Sequence, residues 1–388
     1  MTNWREQLPT EEVIQWRRHF HQYPELSFEE VETSNYIYDV LSMFPNLELS
    51  RPTANSVIAK LTGSAPGKTI ALRADIDALP IEEEADVEFK SKKPGIMHAC
   101  GHDTHAAMLL GAAKVLAGMK EKLSGVIKFI FQPAEEVPPG GAKAIVDAGV
   151  LEDVDYVFGI HIFPKLPAGM VGTNVGAMSA AQDIFELKIQ GRGSHGSTPE
   201  LSIDPITIGA EVVTNLNNIV SRHVSALDNA VLSIGQFTAG EVYNVIPDTT
   251  TIKGTVRTTN ADTRKLMKKR IHEVIDHIVK AYNGTYELHY LDGYSAVVNH
   301  EEATGIVRNA ADKIVGEQQF TCPKMMGSED FAAYTDVTKG SFFVLGGGTK
   351  EEGCGYMNHH PKFKINEDAL AVGMQMHVQI ALDVLGKK

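Results

Sequence analysis

Over the first 160 residues, short apolar runs of strand length alternate with helical periods, and this alternation restricts the fold more than any other feature. Residues 56–61, 69–73, 126–131 and 154–160 read as strands, the third of them buried. Helices are expected at 11–20 and 29–43, separated by Pro24, with Val31, Tyr36, Ile37, Val40 and Leu41 at helical spacing. Another should begin near Thr104 as its N-cap and carry Met108, Leu109, Leu110, Ala113 and Val115, and a short one is expected at 141–148. Strands alternating with helices specify an α/β sheet between helical layers. Near residue 182 the pattern changes. Residues 184–190 alternate like a half-exposed strand, and a helix (204–223), two strands (230–237, 249–258), a helix (261–282) and a strand (286–290) follow. That β-α-β-β-α-β order is the ferredoxin-like unit, read as an α+β domain inserted into the first. The chain then returns to α/β material and ends in a helix at 367–385. Two domains also suit a length of 388 residues.

Composition narrows the class of partner. Asp and Glu number 49 against 36 Lys and Arg, a net charge of -13. Nucleic acid or an anionic membrane as the main partner needs clustered positive charge, so both are excluded. Cys100, Cys322 and Cys354 are too few for a disulfide framework and fit a reducing compartment. The start lacks a signal-like apolar run, and no stretch reaches the roughly 18 apolar residues of a membrane span. The expected location is the cytoplasm.

Chemistry-bearing residues gather at the expected strand ends. Cys100 and His102, separated by one turn-permitting Gly, can face one ion, and thiolate and imidazole suit zinc-like metals. Asp75 and Asp77 follow one strand, Glu135 and Glu136 follow another, and His161 ends a third, where open α/β sheets hold ligands. Paired glutamates repel unless a positive group is near, and a metal on one leaves the other poised as a proton acceptor. Asn358-His359-His360-Pro361 offers an imidazole from far along the chain. In the inserted domain His195, flanked by Gly193 and Gly196, joins Asn244 and Arg257 as candidates. His19, His21, His105, His223, His272, His277 and His289 read as structural or solvated.

Five motifs occur in order: residues 17–26 (RRHFHQYPEL), 73–80 (RADIDALP), 98–105 (HACGHDTH), 132–136 (QPAEE) and 327–331 (GSEDF). Together they resemble the metal-dependent amidohydrolases and carboxypeptidases, in the hippurate hydrolase-like branch that includes bacterial N-acyl-amino-acid deacylases and plant hydrolases of indoleacetyl-amino acids. The resemblance covers essentially the whole chain. It implies a catalytic domain with a central mixed sheet (1–181 and 296–388) and a ferredoxin-like lid (182–295) through which a homodimer forms. It implies two divalent ions per subunit on Cys100, His102, Glu136, His161 and His359, with Glu135 as general base. The family's His two positions before Pro selects His359, although His360 adjoins it. Many members carry His-x-Asp where this chain has Asp75-Ile76-Asp77. Here the 100–102 segment takes over that ligand duty, and Asp75 and Asp77 are expected to orient histidine ligands. The thiolate favours zinc, with manganese, cobalt or nickel as alternatives.

The reaction so implied is cleavage of an N-acyl-amino acid, N-acetyl, N-benzoyl or similar, to amino acid and carboxylate. Glu135 takes a proton from water and passes it to the leaving amine. His195 of the partner subunit stabilises the oxyanion, and Asn244 and Arg257 hold the substrate's carboxylate. A dipeptidase or carboxypeptidase acting on short peptides would use the same groups. A catalytically silent metal- or ligand-binding homologue is the third reading, against which Glu135 beside a full ligand set argues. Cys100 as a covalent nucleophile would need a separate His/Asn pair, and none is evident.

Overall fold

The central strands of the first sheet are buried on both faces, which is why they read as nearly unbroken apolar runs. The computed structural model describes residues 4–387. They form two compact units: residues 4–178, 297–323 and 330–387, and residues 179–296 with 324–329.

In the first unit eight strands form one mixed sheet in the order Leu47–Ser50, Val57–Thr62, Ser124–Gln132, Ala65–Asp75, Tyr156–Phe163, Lys339–Gly346, Val171–Thr173 and Gln319–Thr321. The four strands from Ser124–Gln132 to Lys339–Gly346 run parallel, with Asp75 in register with Gln132. Their carboxyl ends therefore share one edge of the sheet. On one face the helix His102–Ala117 is buried along nearly all its length and packs between Thr10–Gln22 and Asp368–Leu385. Gly111 permits this, since a Cβ there would lie 2.5 Å from Val13 Cγ2 and 2.6 Å from Met374 Sδ.

Two sequence expectations need correction. The helix begins at His102, not near Thr104, because Gly101 (φ 97°) turns the chain without a capping side chain. Thr104 sits inside the first turn, where its N–H and Oγ1–H both donate to the Gly101 carbonyl. Nor does the strand end at His161: it continues to Phe163, because Ile162 is itself buried and residues 161–163 pair with Val344–Gly346.

The second unit has a four-stranded antiparallel sheet, ordered Ala230–Ala239, Thr249–Thr258, Ala181–Gln190 and Thr285–Asp292. Phe185, Leu187 and Ile189 alternate onto one face and form a core with Ile208, Val212 and Leu216 of Pro205–His223 and with Met267, Ile271 and Ile275 of Ala261–Ala281. Asp204 and Asn260 cap the two helices through their side-chain oxygens. Among the described residues no helix is long and apolar enough to cross a membrane.

Candidate metal centre

At the shared strand edge, left-handed Gly101 swings Cys100 and His102 onto the same side. A Cβ at Gly101 would sit 2.5 Å from Ile162 Cγ2, so glycine is also what lets this turn approach the neighbouring strand. His102 Nδ1 donates to the carbonyl (3.0 Å) and to Oδ1 (3.1 Å) of Asp77, leaving Nε2 buried with no hydrogen bond. His161 Nδ1 donates to the Ile162 carbonyl at 2.8 Å, and its Nε2 lies 3.4 Å from Cys100 Sγ. Ligand atoms of Cys100, His102 and His161 all fall within 4.8 Å of one another.

A second group shares Cys100. Glu136 and His359 each place a ligand atom within 4.8 Å of its sulfur and of each other. His359 (φ 68°) is anchored by its N–H to the Ala99 carbonyl, and its Nε2 stands 3.2 Å from Glu136 Oε1. Its neighbour His360 turns away, stacking on Tyr356 with ring centroids 4.3 Å apart while Nδ1 accepts from Lys362 N–H. Between the two histidines the structure brings only His359 to the cluster. Glu135 is buried and forms a third group with His102 and Glu136.

The electrostatics of this basin call for positive charge. Burial opposes a proton on His102, yet Asp75, Asp77 and Glu136 outweigh it and push the imidazole up to about 10. Burial and the carboxylates of Glu136, Glu135 and Asp75 drive the Cys100 thiol well above its ordinary range. His161 is held neutral by burial and by His105. A buried imidazole nitrogen without a hydrogen-bond partner, its other nitrogen tied to a carboxylate, beside a thiol and two glutamates, fits a thiophilic divalent cation, which would supply the positive charge in place of a proton.

Asp75 is placed differently from Asp77. It accepts from Arg73 Nη1 and from His105 Nδ1, both at 2.6 Å, while His105 Nε2 accepts from Ile162 N–H. Burial opposes its charge, but Arg73, His102 and His105 keep it ionised well below the usual carboxylate range. His105 is thus buried in a chain of bonds reaching the residue after His161, so the solvated reading does not apply to it. Residue spacing gave no sign of this, nor of Glu30, which accepts from the Ala134 N–H just before the paired glutamates.

Within the second unit, His195 pairs in register with Val245, and Gly196 N–H donates to the Asn244 carbonyl at 2.8 Å. Ser197 N–H donates into His195 Nδ1 at 3.1 Å, so the exposed ring carries its proton on Nε2. Arg257 lies on Thr249–Thr258 opposite Val231 and Gln182, with Nη1 buried and without a hydrogen bond.

The model of peptidase family M20/M25/M40 matches residues 71–383. An N-acyl-L-amino acid amidohydrolase from Geobacillus stearothermophilus is 49% identical over 291 residues, 75% of this chain and 79% of that protein. Thermostable carboxypeptidase 1 from Saccharolobus solfataricus is 40% identical over 97% of this chain and 96% of its own. The crystal structure of the Bacillus subtilis YXEP protein, a dinuclear metal binding peptidase from the M20 family, superposes with a TM-score of 0.85 at 36% identity, covering 97% of this chain and 98% of that one.

Proposed function

The chain belongs to peptidase family M20/M25/M40, and from that premise we propose that it hydrolyses the amide bond of N-acyl-amino acids at a site for two divalent metal ions. The single observation that carries the reading is that Cys100 stands in two ligand groups at once, with His102 and His161 and with Glu136 and His359. Those five side chains would hold the ions. When bound, the ions would supply Lewis acidity to the acyl carbonyl and acidify water toward about pKa 7.

The chain's own residues do the rest. Asp77, by taking the Nδ1 proton of His102, presents Nε2 to the basin and fixes the ring's plane. Asp75 acts at one remove, through His105 and the Ile162 N–H. Glu135 accepts the proton of the attacking water and returns it to the departing amine. To His195 of the partner subunit, reaching over from its second unit, we assign the developing oxyanion. Asn244 and Arg257 take the substrate carboxylate, and the unpaired Arg257 Nη1 supports that assignment. Homodimerisation through the second unit, zinc as the resident metal and a cytoplasmic location belong to the same reading. The thiol ligand and three free, buried cysteines support the last two.

Glu135→Gln should retain its metal and lose roughly 10²–10⁴ in kcat, the usual worth of a general base. Metal content and turnover of an N-acetyl-amino acid, measured together, test this, and near-normal turnover would refute the assignment. The 40% likeness to a carboxypeptidase favours a second reading, cleavage of peptide bonds in the same site. Parallel rates on N-acetyl-, N-benzoyl- and dipeptide substrates decide between the two.

A further inference from the structure

Glu30 is a wholly buried carboxylate for which the reaction above has no use. It occupies the N-cap position of the helix Val31–Ser42, yet its side chain makes no capping bond there. Oε1 instead accepts from Ala134 N–H at 2.7 Å, across 104 positions of sequence. Oε2 accepts from Asn55 Nδ2 at 3.2 Å, and the same amide nitrogen donates to the Phe28 carbonyl. Phe28, Asn55 and Ala134 all have left-handed backbones, with φ of 70°, 59° and 55°. Three non-glycine residues in that disfavoured conformation thus gather around one carboxylate.

Ala134 turns the chain out of the strand Ser124–Gln132 and into Glu135-Glu136. A glycine would adopt its φ freely, whereas an alanine must be held there. Its carbonyl accepts from Gly141 N–H at 3.0 Å, and its N–H belongs to Glu30. Two residues on, Glu136 N–H donates to Asp77 Oδ2 at 3.0 Å, and Asp77 in turn accepts from Ser27 Oγ at 2.7 Å. The peptide N–H groups on either side of Glu135 are therefore each gripped by a buried carboxylate, and both grips reach back to residues 27–30.

We propose that Glu30 is a positioning residue for hydrolysis, holding Ala134 in its left-handed turn and so fixing where the Glu135 carboxylate stands. The proposal rests on the reading of Glu135 as proton carrier. Glu30 touches neither substrate nor reacting atoms. Its effect reaches the reaction through one backbone hydrogen bond.

The test compares Glu30→Gln, Glu30→Leu and Glu30→Leu/Ala134→Gly, alone and combined with Glu135→Gln. N-acetyl-L-methionine serves as probe, and bound metal, thermal unfolding and deuterium uptake of residues 132–142 are also recorded. Glu30→Gln keeps an acceptor for Ala134 N–H and should stay within about threefold of wild type in kcat. Glu30→Leu should lose roughly 10–100-fold in kcat with KM and metal content kept, as a misplaced group does, and should take up deuterium faster at 132–142. Adding Ala134→Gly should recover about fivefold or more, because glycine needs no clamp to keep this φ. On the Glu135→Gln background Glu30→Leu should cost less than about twofold, since both changes act through one carboxylate.

A Glu30→Leu kcat equal to wild type overturns the proposal. So does a full loss on the Glu135→Gln background, or a loss that follows unfolding and resists Ala134→Gly. Should Glu30→Leu fail to fold, Asn55→Gly keeps the backbone at 55 and removes one donor from Glu30. Its kcat must then fall in the same direction, and unchanged kcat and exchange overturn the proposal. If Glu135→Gln alone proves fully active, the proton-carrier reading falls, and with it the role given to Glu30.

Discussion

At the scale of single residues, the candidate ligands were legible because thiol, imidazole and carboxylate groups stood at strand ends or were spaced around one glycine. Of the residues behind them, Asp75 and Asp77 were expected from the resemblance, whereas Glu30 and the bonded role of His105 were not. Glu30 reads as an acid at a helix start and His105 as one polar residue of a helix, and their partners lie 104 and 30 positions away. Glu30 also yields a pH prediction. Burial, aided by nearby Asp77, pushes its carboxyl up to about 7 against the bonds from Ala134 and Asn55. The folded chain then keeps a proton that the unfolded chain releases near its ordinary 4.5, so Glu30 makes the protein less stable as pH rises from about 4.5 to about 7. Glu30→Gln lacks this titration. Relative to wild type it should gain stability between pH 5 and pH 8 in denaturant melts, and the opposite trend would contradict the burial argument.

At the scale of elements, the four main strands and two helices of the second unit were readable, because the alternating strand and capped helices match their local sequence, whereas the short ladder of Ser194–His195 with Val245–Ile246 was not. The start of His102–Ala117 was not, because Thr104 resembles an N-cap while the deciding feature is the backbone of Gly101. Gly101→Ala should cost about 1–2 kcal/mol for the left-handed backbone alone. It should cost more as the new methyl meets Ile162 Cγ2 at 2.5 Å. Because the same turn sets Cys100 and His102, bound metal should fall together with the melting temperature. Loss of stability with full metal occupancy would show that the turn does not govern the centre.

For the whole molecule, Cys100, His102, Glu136, His161 and His359 all belong to the first unit. Chelation should therefore lower the melting temperature and raise deuterium uptake around residues 98–105 and 132–142, leaving the helix 205–223 of the second unit unchanged. A melting curve indifferent to chelator would count against a structural share for the metal. By itself the sequence determined the α/β class, the inserted β-α-β-β-α-β unit and the kinds of ligand on offer, because periodicity, strand-end chemistry and ordered motifs are local properties. The resemblance had already selected His359 by its place two positions before Pro361; only the tertiary structure decided that it stands beside Cys100 while His360 turns away, and that Glu30 and Asp77 hold the peptide on either side of Glu135. Those outcomes depend on backbone turns and hydrogen bonds between segments far apart in sequence, which no local pattern encodes.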